Sequence, residues 1–556
     1  MDTEFRLLYP KGYKESDQAR MKSYDFITSL QIDDMVVLQN DRYRGYSELT
    51  LEKFFSTDPE VLEYRQAIVE DLVKHQKLYQ AFCSSVSEIQ NVSELRRVLS
   101  SDFSVDSALS AVRYLEMYEE LVDLFANVFS EIEKDSGADI ASDGMKNFRE
   151  LVYSVAKSEE YLNLKREMEA TGKNFGYLKS VTIGINLDDN LRPKEAGIIS
   201  VNEKEFSAGS IIDKLMKHPG IPKQEKLSMV EQVFRGRVSD DLTEFLKIVV
   251  TKEEQKAINY AMGSALQTIF EKPLRSFEPM IQNYYKANTA VFAALLDDIR
   301  FLTAGVKFIL DMKEKGFEMC RPQICPVKER VCELEQVYNP MLAMRGVEKT
   351  VVSNRFELDD NGRFYLVTGP NHGGKSIFAY SIGMAQALCQ LGLFVPAHRA
   401  KMSPVTGIFT HFPVSDENNY GKGRLESECA RLSKILKQLS DTDMLLMDES
   451  FSSTSGLEAG YIASEVLTGI GVIGCCGLFV THIHDLPMKV QEYNSYPGNR
   501  SKIDNLVAQM DNVEQGVRSY RIRRTTPDGL SYARDIAARY GLNLEEICGK
   551  TEEKSE

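Results

Sequence analysis

The chain has 556 residues, of which 43% are hydrophobic and 27% are charged, and its formal net charge at pH 7 is -15. One hydrophobic core rarely serves a chain of this length, so the sequence predicts two or more domains. No apolar run approaches the roughly 20 residues that a membrane span requires, and the N-terminus lacks the apolar core of a secretory signal. We therefore expect a cytoplasmic protein without a membrane partner. The acidic charge argues against broad, sequence-independent binding of nucleic acid, which would need a local basic patch.

The first half of the chain is predicted to be mostly helical, from about residue 57 to residue 170. Apolar residues recur there at the three- and four-residue spacing that places them on one helix face. A helical run in this part is expected to stop at Gly172, because glycine favours the C-terminal cap of a helix. The two clearest apolar stripes are Leu121, Phe125, Val128 and Ile132, and, in a later helix, Ile299, Leu302, Val306 and Ile309.

A different periodicity interrupts these helices. In SVTIGINL, residues 180–187, apolar and polar residues alternate, which predicts a half-buried strand. GIISVNE, residues 197–203, is predicted to pair with it as an antiparallel partner. We therefore expect a small β-containing insertion at about 180–275, within a helical region that spans residues 1–325.

The remaining residues, 326–556, alternate apolar strands with helices, after Pro322 and Pro326 have stopped the preceding helix. This layout predicts an α/β domain with a largely parallel sheet. The whole chain is thus expected to be multidomain, with an all-α region that carries the small insertion and an α/β domain that follows it.

A glycine-rich stretch in the α/β part matches the pattern GxxxxGK[ST], between a predicted strand, FYLVT, and a predicted helix, IFAYSIGMAQALCQ. Glycines allow backbone N–H groups to turn toward phosphate oxygens, and the N-terminus of the helix favours an anion. The lysine would reach the β- and γ-phosphates, and the serine hydroxyl would bind Mg²⁺. The predicted nucleotide-binding residues are Gly369, Pro370, Asn371, His372, Gly373, Gly374, Lys375, Ser376 and Ile377.

Two further apolar strands end in residues of catalytic type. DTDMLLMDES ends with Asp448, which we expect to hold Mg²⁺ through water, and Glu449, which we expect to deprotonate the attacking water. FVTHIHDLP places His482 where an imidazole would contact the γ-phosphate or order that water. Each feature alone is common in ordinary strand ends. Because the carboxyl ends of parallel strands meet at one edge of a sheet, the three strand ends are predicted to converge on one site.

A run of hydroxyl residues, Ser452 to Ser455, precedes a helix that is predicted to begin at about Glu458. Such residues are normal helix caps, but four in a row exceed what capping needs. Our hypothesis is that this helix end, through Ser455, grips the γ-phosphate of a nucleotide that a second copy of the chain holds.

Taken together, GPNHGGKS, LLMDES, the hydroxyl-rich helix start and FVTHIHDLP resemble the ATPase domain of the MutS family, the DNA mismatch-repair ATPases of the ABC-type class. CELEQVYNPMLAMR resembles the motif beside the adenine in that family, with Asn339-Pro340 where the family usually has His-Pro. The long helices resemble the family's core and levers, and residues 180–275 resemble a clamp-like insertion at their tip. The resemblance implies ATP and Mg²⁺ as cofactors, a homodimer, and DNA, mismatched or branched, as a partner.

The chain also departs from the family pattern. Roughly 50 residues precede the core-like helices, too few for the family's mismatch-reading N-terminal domain, so we expect a form without it. The Phe-x-Glu at Phe148 to Glu150 falls in a predicted helix and is interpreted as coincidence. Where the family usually has glycines after the acidic pair, this chain has Ser450-Phe451-Ser452-Ser453.

Two functions of different class fit these observations. The first is a homodimeric clamp driven by ATP hydrolysis on mismatched or branched DNA, in mismatch repair or recombination control. The alternative is an ATP-switched assembly factor, associated with a ribosome or another ribonucleoprotein, that does not bind free DNA; the acidic charge favours it. Arg235 and Arg237 would suit phosphate contacts, but Asp240 and Asp241 follow, so a solvated helix face is the preferred interpretation.

Overall fold

The computed structural model describes residues 5–13, 20–38, 49–98, 105–135, 139–175, 180–187, 189, 193–202, 290–346, 351–413, 423–512, 517–526, 540–541 and 547. The chain divides into two compact units. The first unit comprises Met1–Cys83, Glu131–Arg149 and Leu295–Glu556, and the second comprises Ser84–Ser130 and Glu150–Ala294.

Helices and strands are numbered along the chain. The described α-helices are α1 (Phe26–Ser29), α2 (Ile32–Met35), α3 (Pro59–Lys74), α4 (Gln76–Val98), α5 (Val105–Lys134), α6 (Asp143–Ala156), α7 (Glu159–Phe175), α8 (Ala290–Glu314), α9 (Pro340–Arg345), α10 (Lys375–Gln390), α11 (Arg424–Leu436), α12 (Gly456–Ile473) and α13 (Val490–Ser495). The described strands are β1 (Ser180–Leu187), β2 (Pro193–Asn202), β3 (Gln323–Ile324), β4 (Cys332–Val337), β5 (Asn354–Glu357), β6 (Phe364–Thr368), β7 (Arg399–Met402), β8 (Ile408–His411), β9 (Met444–Asp448), β10 (Cys476–Val480), β11 (Ile503–Asn512) and β12 (Val517–Arg524).

The predicted helical stripes are buried where they were expected. Leu121, Phe125 and Ile132 on α5 are buried, and Val128 is half-buried. All four residues of the stripe on α8 are 0% exposed. The expected stop at Gly172 is wrong, because α7 continues to Phe175.

The second unit contains an antiparallel pair of strands. β1 and β2 pair from Ser180 opposite Asn202 to Leu187 opposite Pro193. This confirms the predicted antiparallel pairing, although β2 begins four residues before the segment that the alternation indicated. Residues 203–289, which include the rest of the predicted insertion as well as Arg235 and Arg237, lie outside the described residues.

Helices of the second unit are joined by aromatic and polar contacts. The ring of Phe292 on α8 lies 5.9 Å from that of Tyr118 on α5. Asp123 on α5 accepts hydrogen bonds from Tyr161 at 2.9 Å and from Lys165 at 2.6 Å, both on α7. The Asp123 carboxylate therefore links α5 to α7 through two hydrogen bonds.

The first unit is built on a six-stranded sheet in the order β12-β11-β6-β10-β9-β8. All neighbours pair in parallel except β11 and β12, which are antiparallel. A four-stranded sheet in the order β3-β7-β4-β5 belongs to the same unit. The largely parallel sheet expected for residues 326–556 is therefore confirmed within the described residues.

Helices cover both faces of the six-stranded sheet, as its wholly buried strands β6, β9 and β10 require. On one face, Ala459, Ala463, Leu467 and Ile470 of α12 join a core cluster with Phe364, Leu366, Leu445, Met447 and Phe479 of the strands. On the other face, α10 lies so close to β9 that a Cβ on Gly383 would be 2.5 Å from Leu446 Cδ1. Among the described helices, α12 alone is long and apolar enough to cross a membrane, and its inner face lies in this core.

Phe148 lies on α6, as predicted, and its side chain is fully buried. Its ring lies 5.6 Å from that of Phe82 and 6.4 Å from that of Phe5. These contacts give Phe148 a packing role in the first unit, in keeping with the interpretation of the Phe-x-Glu sequence as coincidence.

The N-terminal residues of the first unit are tied to the sheet by an ion pair. Lys22 Nζ lies 2.7 Å from Asp443 Oδ2 and 2.8 Å from Ser440 Oγ, and the Asp443 side chain is 0% exposed. The Lys22 backbone N–H also donates to the Thr406 carbonyl at 3.1 Å. These bonds hold the segment that precedes α1 against the loops that lead into β8 and β9.

We expect Lys22→Ala to lower the free energy of unfolding by about 1–2 kcal/mol, because a buried carboxylate loses its cation while the partly exposed lysine limits the effect. The measurement is urea denaturation of both proteins at equal concentration. Lys53→Ala is the matched control, since its pair with Asp297 spans 3.6 Å and both side chains are about half exposed. Its expected change is below about 0.5 kcal/mol. Equal shifts for the two variants would contradict the assigned role of Lys22.

Candidate functional site

Three loops leave neighbouring strands at one edge of the six-stranded sheet. β10 pairs with both β6 and β9, and all three strands run in parallel. The glycine-rich loop, Gly369 to Gly374, follows β6; Glu449 follows β9; His482 follows β10 by two residues. The structure thus brings together the strand ends that the sequence predicted to converge.

The glycine-rich loop connects β6 directly to α10 and carries all six loop residues predicted for it. Gly374 precedes α10 with a φ of 85°, and Gly369 has a φ of 127°, both in the region that favours glycine. A Cβ on Gly369 would lie 2.8 Å from Ala508 Cβ. Asn371 and His372 are exposed at the turn of the loop.

Lys375 is the first residue of α10, and its side chain folds back onto this loop. Its ammonium donates to the carbonyls of Gly369 and Pro370, each at 3.0 Å, and the residue is only 4% exposed. The N-terminus of α10, with its unsatisfied N–H groups, adds positive potential at the same place. A buried cation and a helix N-terminus together form a site suited to an anion such as a phosphate group.

Ser376 and Asp448 meet across the strand edge. Ser376 Oγ donates to Asp448 Oδ1 at 2.9 Å, and Tyr380 Oη donates to Asp448 Oδ2 at 2.9 Å. Burial raises the pKa of the Asp448 carboxyl, and the hydrogen bonds from Ser376 and Tyr380 oppose that rise. The two predicted metal ligands are therefore adjacent.

The donor set fits Mg²⁺ bound together with a nucleotide. The described residues contain no cluster of three or more His, Cys, Asp or Glu side chains suited to a metal. Mg²⁺ commonly takes one or two protein oxygens and completes its shell with phosphate oxygens and water. The oxygens of Ser376 and Asp448 satisfy that requirement without a third protein ligand.

Glu449 and His482 form a close pair. His482 Nε2 lies 2.6 Å from Glu449 Oε1, and each side chain is about 40% exposed. The Glu449 backbone N–H donates to the Val480 carbonyl at 2.9 Å, which fixes the turn after β9 to β10. A carboxylate and an imidazole at this distance can accept and relay a proton from a bound water.

Ser455 is the N-cap of α12, which begins at Gly456, two residues before the predicted start. Its hydroxyl accepts from the Glu458 N–H at 3.4 Å and donates to Glu458 Oε2 at 3.1 Å. Thr454 Oγ1 donates to the same carboxylate. The capping hydrogen bonds of its own helix thus engage Ser455.

A mostly apolar cavity of about 230 Å³ opens beside the glycine-rich loop. Its walls include Ile377 and Phe378 of α10, Leu342, Val351 and Tyr520. The ring of Tyr520 faces the loop, since a Cβ on Gly374 would lie 3.4 Å from Tyr520 Cδ1. A mostly apolar cavity beside a loop suited to an anion fits a nucleoside base.

The residues around Asn339 contribute little stacking surface to this cavity. Asn339 lines it but caps α9, where its Oδ1 accepts from the Leu342 N–H at 3.1 Å. Tyr338 is 5% exposed, and its hydroxyl donates to the Glu318 carbonyl at 2.9 Å. Of the two aromatic residues among the described lining residues, Phe378 is 3% exposed and its ring lies 6.0 Å from that of Phe356. Tyr520 is 39% exposed, so its ring is the one available to a base.

Asn354 holds Tyr520 in place from the neighbouring strand β5. Its Nδ2 donates to the Tyr520 carbonyl at 3.1 Å, and its Oδ1 accepts from the Ile522 N–H at 2.7 Å. Tyr520 has a φ of 55°, a conformation that a non-glycine residue keeps only when its surroundings fix it. The sequence offered no local signal for Tyr520 or Asn354, whereas Tyr380 follows Ser376 by one helical turn and was within reach of pattern analysis.

Comparison with known proteins places this site in a family. Residues 365–537 match the model of MutS domain V, and residues 57–315 match the model of the MutS2 N-terminal domain. The chain belongs to the MutS family. The domain V match begins in β6 and extends beyond β12, so it includes the three strand ends and Tyr520.

Curated MutS-family proteins are similar over parts of the chain. The DNA mismatch repair protein MutS of Prochlorococcus marinus (strain MIT 9301) is 32% identical over 252 residues, 44% of this chain and 26% of that protein. The DNA mismatch repair protein MSH2 of Saccharomyces cerevisiae is 29% identical over 224 residues, 40% of this chain and 23% of that protein. The DNA mismatch repair protein MutS of Clostridium beijerinckii is 24% identical over 506 residues, 84% of this chain and 48% of that protein. The chain thus spans less than half the length of each of these MutS-family relatives.

We expect Tyr520→Ala to weaken ATP binding about tenfold, because the base loses its aromatic platform. Titration with a fluorescent ATP analogue measures the affinity. Tyr520→Phe keeps the ring and should bind within about twofold of the original protein. Tyr496→Ala, which removes an exposed tyrosine at the end of α13, is the control for loss of a surface ring. Unchanged affinity in Tyr520→Ala would show that the base lies elsewhere.

Proposed function

We propose that this MutS-family chain is an ATPase whose hydrolysis drives a dimeric clamp on DNA. The observation that carries the proposal is the convergence, at three adjacent strand ends, of a lysine-centred loop, a Ser–Asp pair and a Glu–His pair. In the proposed arrangement residues 326–556 form the ATPase domain, and the helical residues 1–325 carry its motion to DNA. Support comes from the relatives, which are DNA mismatch repair proteins by name.

Each residue of the site would have a separate role. Lys375 would exchange the two loop carbonyls for the β- and γ-phosphates, since a charged acceptor bonds an ammonium more strongly than a neutral one. Ser376 and Asp448 would hold Mg²⁺, which neutralises phosphate charge when bound. Glu449 would take a proton from the attacking water, and His482, 2.6 Å away, would orient that carboxylate and the water.

The proposed dimer rests on the N-terminal end of α12. Leu457 is 86% exposed and Tyr461 is 71% exposed, next to the cap formed by Ser455. Large apolar side chains that are exposed next to one another at the start of a helix are typical of a surface that a second protein covers. In the proposed dimer Ser455 leaves Glu458 and donates to the γ-phosphate held by the other copy.

Lys375→Ala and Glu449→Gln should each lower ATP turnover by about 100-fold or more, but for different reasons. Loss of the ammonium removes phosphate binding, whereas loss of the carboxylate removes the base and leaves binding intact. Phosphate release measures turnover, and a fluorescent ATP analogue measures affinity. Glu449→Gln should also accumulate a dimer in ATP, which size-exclusion chromatography with light scattering detects.

The double variant with Glu449→Gln and Ser455→Ala is the control for the dimer contact. It should bind ATP as the single variant does, yet remain monomeric. If both single variants lose ATP binding equally, the assigned roles of Lys375 and Glu449 are wrong. If the double variant dimerises fully, Ser455 does not hold the second nucleotide.

Gel-shift titrations with homoduplex, mismatched, branched and single-stranded DNA, with and without ATP, test the proposed partner. We expect binding that weakens steeply as salt rises, because phosphate contacts release counterions. ATP turnover without binding to any of these DNAs would instead support the alternative, an ATP-switched factor on a ribosome or another ribonucleoprotein. The net charge of -15 is the observation that favours this second function.

A further inference from the structure

The turn that carries Glu449 has a strained backbone. Glu449 has a φ of 46° and Phe451 a φ of 68°, although neither is glycine. Such left-handed conformations cost roughly 1–2 kcal/mol per residue and persist only where neighbouring groups fix them. The groups that fix this turn therefore decide where the Glu449 carboxylate lies.

One anchor of the turn comes from α11. The Phe451 backbone N–H donates to Glu428 Oε2 at 3.0 Å. Hydrogen bonds from a main-chain N–H to a carboxylate are among the stronger ones in proteins. The Phe451 side chain is 1% exposed and joins the core cluster that includes Leu432 of α11. Both the backbone and the side chain of Phe451 are thus tied to the same helix region.

A second anchor comes from the end of β8. His411 Nδ1 lies 2.6 Å from Ser450 Oγ, and His411 Nε2 lies 3.2 Å from the Glu428 carbonyl. A carbonyl only accepts, so Nε2 carries the proton and Nδ1 accepts from the Ser450 hydroxyl. Burial, with a smaller effect of Arg431, lowers the pKa of His411 to about 4, so the neutral ring that this arrangement needs is the form present at pH 7.

Packing alone does not fix the turn on the side where Asp448 and Glu449 lie. A cavity of about 160 Å³ lies there, lined by residues that include Arg424, Glu428, Asp448 and Glu449. Among the described residues no side chains fill this space, so the restraint that the described structure gives the turn on this side comes from hydrogen bonds. Glu428 provides two of them, through its carboxylate to Phe451 and through its carbonyl to His411.

We propose that Glu428 and His411 are positioning residues that hold the strained turn, so that α11 aims the Glu449 carboxylate at the attacking water. The inference rests on the proposed ATPase activity. Neither residue exchanges a proton with the water. Because a misplacement of about 1 Å in a catalytic group lowers a rate by about 100-fold, loss of this restraint affects the chemical step rather than nucleotide binding.

The test is steady-state ATP turnover of Glu428→Ala, with ATP affinity and thermal stability measured on the same samples. We expect kcat to fall about 10- to 100-fold, while KM and the affinity for a fluorescent ATP analogue stay within about twofold. Glu428→Gln keeps an oxygen that accepts from Phe451 and should retain at least a third of the original kcat. Glu426→Ala, at an exposed position on the same helix, is the matched control and should behave as the original protein.

Ser450→Ala provides a second variant if Glu428→Ala does not fold. It removes only the hydroxyl that His411 engages, and we expect a several-fold lower kcat with unchanged affinity. Turnover equal to that of the original protein in a folded Glu428→Ala or Ser450→Ala variant would overturn the inference and leave the ATPase proposal intact. An original protein that binds ATP but never hydrolyses it would overturn both.

Discussion

Parallel pairing of β6, β10 and β9 is the constraint on which the candidate site depends. In register, Val480 lies opposite both Val367 and Asp448, so the three strands stop at the same level of the sheet. Loops that leave at one level place their first residues side by side. The Ser376 to Asp448 and His482 to Glu449 contacts, at 2.9 and 2.6 Å, follow from this alignment more than from any local preference. Helices α10 and α12 preserve the alignment by covering both faces of the sheet.

Two charged residues of the site, Lys375 and Asp448, are buried and form hydrogen bonds to neutral groups. Lys375 and Asp448 are 4% and 5% exposed, and their described hydrogen bonds run to loop carbonyls and to hydroxyls respectively. Such bonds offset part of the free energy that burying a charged group costs. A triphosphate would therefore find a cation already desolvated and already in position. Such preorganisation lowers the free energy that binding an anionic ligand costs.

Sequence patterns predicted the helices and strands whose conformation depends on residues close together in the chain. FYLVT is β6 to the residue, and the strand before Asp448 and Glu449 was recognised from its apolar run followed by an acidic pair. Gly172 was misread because glycine is also tolerated inside a helix when neighbouring residues carry the helix onward. Tyr520 and Asn354 were missed because they meet through a contact between β5 and β12, strands distant in sequence, which no short motif encodes.

Ser450 and Phe451 stand where the MutS family usually has glycines, and the sequence alone explains this difference only in part. The missing glycines were visible in the sequence, but the compensation was not. Phe451 keeps a positive φ because its ring is buried and its N–H is bonded to Glu428, which lies on a separate helix. Only the three-dimensional arrangement shows that contacts with other elements can hold a bulky residue in a positive-φ conformation that glycine adopts without them.

Asn354 lies at the exposed edge of the six-stranded sheet as well as in the wall of the cavity. β12 is the edge strand of the six-stranded sheet, and an edge exposes unpaired backbone groups that another chain can bind. The Asn354 side chain satisfies one acceptor and one donor of that edge, as a fragment of a neighbouring strand would. Exposed Arg521 and Arg523 flank the same place and repel a second identical edge. The amide that fixes Tyr520 in the cavity wall thus also occupies hydrogen-bonding groups through which a second edge strand would pair.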